Sequence, residues 1–322
     1  MNAPRCIVGV MAHDEEPTIA TALDAILTQV VVSAEVTDVV IVSSGSTDGT
    51  DEIVRAIAAR DARVHLIIQP ERRGKIDAVN YFLAHYPADL YVLCNADVIL
   101  EHGALEALLQ PLVDPRVGMS GGRVIPRVNL GRGRGFFDFA NHVLWEIHHR
   151  LVLEQPKMGE AVAFRPFVRA IPSDLVADEA FLEATAHDLG LRVVYVPEAR
   201  FSAGCPTTFG EYFEIRRRNT AAHQLLKLKL GYEVATLTAR PILKVVRQIA
   251  AAHVQRTYRN ATTTERAAAL LRDVHDAIWF AAVVALEAGA RTAGRIDARW
   301  SPARHRVWRM ARSARRPLET VG

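Results

Sequence analysis

The sequence has little cysteine and no long hydrophobic run, and both shortages narrow its class. Three of its 322 residues are cysteine and no Cys-x-x-Cys pair occurs, which argues against a disulfide framework and a zinc site. A reducing compartment is therefore expected. The longest strongly apolar stretch, 277–286, is far shorter than the roughly 20 residues that span a bilayer, and the run 6–12 is too short for a signal peptide. The sequence predicts a cytoplasmic protein that at most lies on the cytoplasmic face of a membrane.

The sequence also has no large excess of positive or negative charge. The formal net charge is +3 and half of the residues are hydrophobic, which excludes a disordered chain and gives no reason to expect nucleic-acid binding. Basic residues concentrate in 289–318, where nine arginines stand against one acid, Asp297, with Trp300 and Trp308 among them. This pattern is typical of an amphipathic segment on an anionic membrane. A solvated basic tail, or one that folds back, explains it equally well.

The first third of the chain alternates between short apolar runs and helical periods. The apolar runs predict strands at 5–11, 38–42, 64–68 and 90–94. The helical periods predict helices at 17–29, 48–60, 75–85 and 104–112. This alternation indicates βαβ units and a mostly parallel sheet that is covered by helices on both faces.

The pattern changes after about residue 130. A Gly/Arg hinge at 131–135 precedes predicted helices at 136–153 and 178–189 and a strand at 192–196. Beyond residue 209 nearly everything is predicted to be helical, with breaks at Gly231, Pro241, Asn260 and Pro302. We therefore divide the chain into 1–128, 129–230 and a helical extension at 231–322.

Four polar segments are predicted to lie along one edge of the sheet, at 12–16, 43–50, 74–80 and 95–97. Ligands of such sheets bind at the carboxyl ends of the strands. Lys75 and carboxylates such as Asp97 can together hold a diphosphate and a divalent cation, and oxygen ligands favour Mg²⁺ or Mn²⁺ over zinc. A simpler explanation also exists, because Asp48 can cap the following helix and Asp97 can be a turn residue.

These segments, in this order, resemble the inverting nucleotide-sugar glycosyltransferases of family 2, which have the GT-A fold. Segment 12–16, Ala-His-Asp-Glu-Glu, is similar to the family's Ala-Tyr-Asn-Glu-Glu, and 43–50 to its Asp-Asp-Gly-Ser-Thr-Asp-Gly-Thr. Segment 74–80 matches Gly-Lys-x-x-Ala-x-Asn in full, and 95–97 stands at the metal motif Asp-x-Asp. The resemblance implies a GT-A-like α/β fold with a mostly parallel sheet between helices and a C-terminal helical extension.

An acidic pair extends the resemblance into the second part, so that it covers about 5–225. Asp178-Glu179 resembles the pair that carries the family's catalytic base, with Glu179 as first choice and Asp178 as second. The resemblance also implies that Asp97 holds Mg²⁺ or Mn²⁺. The donor-binding residues that it implies are Ala12, Asp14, Glu16, Ser44, Ser46, Asp48, Lys75, Asn80, Asn95, Ala96, Arg216 and Arg218. The implied enzyme is a metal-dependent inverting hexosyl- or N-acetylhexosaminyltransferase.

Three departures from the family pattern narrow this expectation. Ser43-Ser44 replaces two aspartates near the nucleobase, so the base stays open, and Asn95 replaces the first carboxylate of the metal motif. Segment 215–219, Ile-Arg-Arg-Arg-Asn, stands where processive members carry Gln-x-x-Arg-Trp. Because the tryptophan is missing, we expect the transfer of one sugar rather than polymer growth.

Two questions stay open at this point. The lost carboxylates also fit a catalytically inactive nucleotide-sugar binder or partner protein of the same fold. The acceptor hydroxyl can belong to a lipid-linked molecule, a polysaccharide or a natural product, and an anionic membrane would be met through 289–318.

Overall fold

The computed structural model describes residues 3–131, 133–259, 262–307 and 310–315. The strands within these residues are β1 Arg5–Ala12, β2 Glu35–Ser44, β3 Val64–Gln69, β4 Leu90–Asn95, β5 Val98–Leu100, β6 Val117–Arg127, β7 Ala161–Phe164 and β8 Arg192–Gly204. The helices are α1 Ile19–Leu27, α2 Thr50–Ala58, α3 Lys75–His85, α4 Ala104–Leu109, α5 Phe136–Glu154, α6 Asp178–Asp188, α7 Phe209–Leu230, α8 Ala239–Tyr258 and α9 Thr263–Trp300. Short 3₁₀ turns follow α4 and α9, and another precedes α8.

One sheet contains all eight strands, in the order β3-β2-β1-β4-β7-β6-β8-β5. Six strands run in the same direction, whereas β7 and β5 pair antiparallel to their neighbours. The carboxyl ends of the six strands therefore share an edge with the amino end of β7. The α/β fold predicted from the sequence is confirmed.

Both faces of the sheet are covered, as the apolar character of β1 predicts. Cys6, Val8 and Val10 point into a core under α1, α2 and α4, whereas Ile7 and Met11 point into a second core under α3, α6 and α7. This alternation follows from the two-residue period of a strand. Burial of each large apolar side chain contributes about 1.5–3 kcal/mol, so the two cores fix the strand ends that carry the polar loops.

Helix α9 packs on α7 through buried ion pairs. Arg216 Nε lies 2.7 Å from Glu287 Oε1, and Arg217 Nε lies 2.6 Å from Asp297 Oδ2. Asp297 also accepts a hydrogen bond of 2.8 Å from His305 Nε2. These contacts join α7 to α9 and to the 3₁₀ turn Pro302–His305.

The structure corrects two details of the sequence prediction. Pro241 does not break a helix but lies in the first turn of α8, where its missing N–H leaves no hydrogen bond unmade. The strands β5 and β7 were not expected, since runs of three or four residues give too little period to read. The break predicted at Asn260 lies outside the described residues. Within those residues no helix is long and apolar enough to cross a bilayer.

Candidate active site

The loops that follow β1 and β2 are tied together by hydrogen bonds. Asp14 Oδ1 accepts from Thr47 N at 2.7 Å, and the Asp14 amide donates to Ser46 Oγ at 3.1 Å. Glu16 Oε2 accepts from Gly49 N at 3.1 Å. Asp14 has a φ of +50°, a left-handed conformation that costs a non-glycine residue energy and is concentrated at functional sites. The two predicted nucleotide loops therefore form one pre-arranged unit.

Asp48 lies one residue before Gly49, the N-cap of α2, and its carboxylate binds the first backbone amide of the helix. Its Oδ1 accepts from Thr50 N at 3.1 Å, and its Oδ2 accepts from Glu16 N at 3.1 Å. Burial alone would raise its pKa, but these hydrogen bonds lower the pKa of Asp48 below the ordinary value. Asp48 thus holds the start of α2 and the β1 loop in place.

The remaining predicted residues of these loops are largely enclosed. Ala12 ends β1 and Ala96 follows β4, both buried. Ser44 is buried and its backbone carbonyl lies 2.8 Å from His13 Nδ1. They shape the edge mainly through backbone and packing.

Lys75 joins the third helix to the predicted base. Its Nζ lies 2.8 Å from Asp178 Oδ2 and 2.9 Å from Glu179 Oε1, across 104 positions of sequence. The Glu179 side chain is 18% exposed and that of Asp178 only 3%. Of the two carboxylates, only Glu179 can meet a substrate without rearrangement.

The surrounding charges shift the pKa values of Asp178 and Glu179 in opposite directions. Burial and the Glu179 carboxylate raise the pKa of Asp178. Burial would also raise the pKa of Glu179, but Lys75 and a hydrogen bond with Asp178 lower it well below the ordinary value. Glu179 is therefore the carboxyl that is held ionised.

Asn95 and Asp97 lie beside a carboxylate that the sequence did not single out. Asn95 Nδ2 donates to Glu160 Oε2 at 2.7 Å. Burial raises the pKa of Glu160, and the Asp97 and Glu179 carboxylates raise it further. Glu160 has a φ of +65°, so a second strained residue marks this edge.

Arg218 lies in the field of the same group of acids. Burial lowers its pKa, and the carboxylates of Glu160, Glu179 and Asp97 counteract this effect. These interactions show that Asp97 and Glu179 reach one neighbourhood although they are far apart in sequence. We call Lys75, Asp97, Glu160, Asp178, Glu179 and Arg218 the site cluster.

Two predicted donor-binding residues have polar groups that are bound within the protein. The Asn80 carboxamide exchanges two hydrogen bonds with the Ile171 backbone, of 2.8 and 2.7 Å, and so clamps the loop before α6. Arg216 is bound by Glu287 at the α7–α9 interface through bonds of 2.7 and 3.1 Å. Both residues use their polar groups for structure.

Sequence reasoning missed Glu160 and Arg127. The polar segments predicted from the sequence follow the carboxyl ends of parallel strands, whereas Glu160 precedes the antiparallel strand β7, whose amino end reaches the same edge. Arg127 ends β6, and its Nη2 lies 3.5 Å from the Asp97 carbonyl oxygen. Its Nη1 is buried without a hydrogen-bond partner among the described residues. Only the position of Arg127 at a strand end could have indicated it.

Two solved structures, with TM-scores of 0.63 and 0.50, show the same fold. A mannosyltransferase, PcManGT from Pyrobaculum calidifontis, solved in complex with GDP-Man and Mn²⁺, has a TM-score of 0.63 and 23% identity, covering 92% of this chain and 87% of that one. A mycobacterial protein has a TM-score of 0.50 and 23% identity over 72% of this chain and 76% of its own. Glucosyl-3-phosphoglycerate synthase from Mycobacterium tuberculosis, with Mn²⁺, UDP and glucosyl-3-phosphoglycerate, gives 0.49 and 21% over 72% and 81%.

No curated protein matches the chain by sequence. The family model described as glycosyl transferase family 2 matches residues 7–170, just over half of the chain. That range contains the four polar segments, Glu160 and Arg127. The resemblance drawn from the motifs is confirmed: this chain belongs to glycosyl transferase family 2 and is a nucleotide-sugar glycosyltransferase.

Proposed function

We propose that this enzyme moves one sugar from a nucleoside-diphosphate sugar to an acceptor hydroxyl, with inversion at the anomeric carbon. The observation that carries the proposal is the site cluster. Lys75 binds the partly exposed Glu179 at 2.9 Å, Asn95 of the Asp97 loop binds Glu160 at 2.7 Å, and Asp97, Glu160 and Glu179 all interact electrostatically with Arg218 at one edge of the sheet. A base and a phosphate-binding region are what a direct displacement requires.

The nucleotide side of the donor is assigned to the joined β1 and β2 loops. Asp14, Glu16, Ser46 and Asp48 hold these loops in one arrangement. Ser44 stands where the family has an acid, so the loop carries no carboxylate that selects uracil. The matched mannosyltransferase was solved with GDP-Man. Binding of guanine and uracil nucleotides therefore has to be measured side by side.

Asp97 and Glu160 are the residues that would hold a divalent metal. No group of three or more His, Cys, Asp or Glu side chains forms a metal cage in the part of the chain that the structure describes. Mg²⁺ sites commonly take one or two carboxylates and complete their coordination with substrate phosphates and water. The oxygen donors present fit this pattern. When bound, the metal supplies positive charge to the departing diphosphate.

Two arginines of the chain add charge on the same side. Arg218 lies among the carboxylates of the site cluster. The buried Nη1 of Arg127 has no hydrogen-bond partner among the described residues. A guanidinium matches the geometry of phosphate oxygens. Binding to the diphosphate would therefore give Arg127 Nη1 a hydrogen-bond acceptor. It would also neutralise charge that develops on the diphosphate as its bond to the anomeric carbon breaks.

Glu179 is proposed as the base. The acceptor oxygen forms its bond to the anomeric carbon, the bond from that carbon to the diphosphate oxygen breaks, and the hydroxyl proton moves to the Glu179 carboxylate. Lys75 keeps Glu179 ionised before the reaction. Asp178 is too enclosed to meet the acceptor and positions Lys75 instead.

A lipid-linked acceptor on an anionic membrane is supported by the surface of the C-terminal helices. Helix α8 carries four Lys or Arg residues and no acid. The exposed large apolar side chains of α9 are Leu270, Leu271, Val274, Ile278, Val284, Ile296 and Trp300, and the first five lie before residue 289. Sedimentation with phosphatidylglycerol vesicles tests this surface: Leu271→Glu should release the protein, and unchanged sedimentation would contradict the assignment. Residues 289–318 are less suitable, because Arg291 and Arg315 are bound within the protein.

Isothermal titration of the full chain tests the proposed function. GDP, UDP and dTDP are titrated with and without Mn²⁺, and sugar transfer or donor hydrolysis is followed in parallel. At least one nucleotide should bind more tightly with Mn²⁺. Asp97→Asn should remove that gain, whereas Asp24→Asn, exposed on α1, should keep it. Failure of every nucleotide to bind would refute the proposal.

An inactive binder is the second candidate, supported by the replacement of acids at 43–44 and 95. It predicts nucleotide binding with no turnover of any donor. The ionised and partly exposed Glu179 favours the enzyme.

A further inference from the structure

The C-terminal segment returns to the active-site edge. We call its described residues, 302–307 and 310–315, the strap. In its first turn the buried His305 donates to Asp297 at 2.8 Å, and Arg217 of α7 binds the same carboxylate at 2.6 and 2.8 Å. The root of the strap is thus fixed by a desolvated ion pair.

Two glycines allow the strap to lie against the backbone of the site. A side chain on Gly74, the residue before Lys75, would overlap the carbonyl oxygen of Arg306. A side chain on Gly204, at the end of β8, would overlap the carbonyl oxygen of Ala314. Gly74 also has a φ of +100°, which only glycine adopts readily. The strap therefore contacts both sides of the edge where the polar loops meet.

The far end of the strap is bound to the β1 loop. Arg315 donates to the His13 carbonyl oxygen at 3.1 Å, to the Asp14 carbonyl oxygen and to Glu15 Oε1. Ser313 Oγ accepts from Thr207 N at 2.9 Å and so fixes the turn that presents Arg315. One guanidinium thus holds three consecutive residues of the loop.

These contacts fall on the strained part of the nucleotide-binding unit. Asp14 is in the left-handed conformation, and such a conformation persists only where its surroundings hold it. Glu15 is buried, and burial raises the pKa of its carboxyl to about 8 although Arg315 lowers it. Loss of Arg315 would therefore remove both a favourable charge and a hydrogen bond from this enclosed carboxyl. Arg315 is therefore placed to maintain the loop geometry from outside the family-matched segment.

We propose that Arg315 is a positioning residue for donor binding and that the strap holds the β1 loop in its nucleotide-binding form. This inference rests on the proposed function. It extends the donor site to a residue about 300 positions away from the loop that it orders.

Three variants of the full chain test the inference. Arg315→Ala should raise the dissociation constant of GDP or UDP with Mn²⁺, and the donor KM, about tenfold, while kcat at saturating donor changes less than twofold. Arg315→Lys keeps the positive charge but loses the branched guanidinium. Its dissociation constant and KM should lie between those of the wild type and of Arg315→Ala. Arg312→Ala removes the same charge from an exposed residue of the strap and should match the wild type.

Amide hydrogen exchange of residues 13–16 gives a readout that needs no ligand. Exchange should accelerate in Arg315→Ala and not in Arg312→Ala. Unchanged exchange, or nucleotide binding by Arg315→Ala that equals or exceeds the wild type, would overturn the inference. If the wild type binds no nucleotide, the proposed function fails, and the exchange result still decides whether Arg315 orders the loop.

Discussion

Two groups of buried ion pairs use the same residue types for different ends. The site cluster contains four carboxylates, Asp97, Glu160, Asp178 and Glu179, against the cations Lys75 and Arg218. The second group, which we call the interface cluster, joins α7 to α9 and consists of Arg216, Arg217, Glu287, Asp297 and His305. The first has surplus acid, whereas the second has a cation for every acid.

The pKa shifts follow this difference in balance. In the site cluster, burial and neighbouring acids raise the pKa values of Asp178 and Glu160, whereas Lys75 lowers that of Glu179. In the interface cluster, burial is outweighed by Arg216 and Arg217, and the pKa values of Glu287 and Asp297 are lowered. Unbalanced acids that face a cleft can accept a proton or a cation, whereas balanced pairs can only hold helices together.

The largest expected effect is loss of the proposed base. Glu179→Gln keeps the shape but not the charge, and should lower kcat about 10³-fold, in the range for general acid–base groups. Nucleotide affinity should stay within threefold. Steady-state kinetics and titration measure both quantities.

Two further variants of the same helix are compared with Glu179→Gln. Asp188→Asn, exposed at the end of the same helix, should leave kcat unchanged. Asp178→Asn should lower kcat about tenfold, because Lys75 loses one of its two carboxylates. A larger loss in Asp178→Asn than in Glu179→Gln would reverse the two roles.

The sequence could predict the residues that lie in local motifs, but not the partners that only packing brings together. Lys75 and Asp97 lie in short segments with a family pattern, and parallel strands bring such segments to one edge. Arg216 and Arg218 share one helix two positions apart, and only packing shows that Arg216 meets Glu287 while Arg218 meets the acids. A helix places residues two apart on different faces, but the sequence does not tell which face meets the site.

Long-range pairing accounts for the other failures. Glu160 precedes a four-residue antiparallel strand that gave no signal. Arg315 was grouped with arginines of a basic tail, whose composition suits a membrane surface and a folded-back strap equally. Its role depends on contacts with His13 and Asp14, and no local pattern encodes these contacts.

A change in the interface cluster should affect stability and not chemistry. Glu287→Gln leaves Arg216 largely buried with a weaker partner, and should lower the free energy of unfolding by about 2 kcal/mol. Glu214→Gln is the matched control, since its pair with Arg217 is half exposed and is expected to contribute less than about 0.5 kcal/mol. Urea unfolding measures both. A fall in kcat of the folded enzyme beyond twofold in Glu287→Gln would contradict the separation of the two clusters.

The smallest expected effect is a difference in the sign of a pH dependence. Glu287 has a lowered pKa because Arg216 outweighs burial, so its stabilisation is present above the ordinary value of 4.5 and is lost as pH falls through the folded-state pKa. Glu183, one turn beyond Glu179 on α6, has a pKa raised by burial despite its bond from the Tyr232 hydroxyl. Its contribution is present below 4.5 and is lost as pH rises through the folded-state pKa.

Unfolding free energies between pH 4 and pH 7 should therefore diverge. The wild-type advantage over Glu287→Gln should grow with pH, and the advantage over Glu183→Gln should shrink, each by about 1 kcal/mol and at no more than about 1.4 kcal/mol per pH unit. Parallel curves, or slopes of the same sign, would mean that the cation beside Glu287 does not distinguish it from the buried Glu183, whose hydrogen-bond donors are the Tyr232 hydroxyl and the Met158 amide. Opposite slopes from two buried glutamates would show that the presence of a cationic partner, and not burial alone, sets the direction of a carboxyl group's pKa shift in this protein.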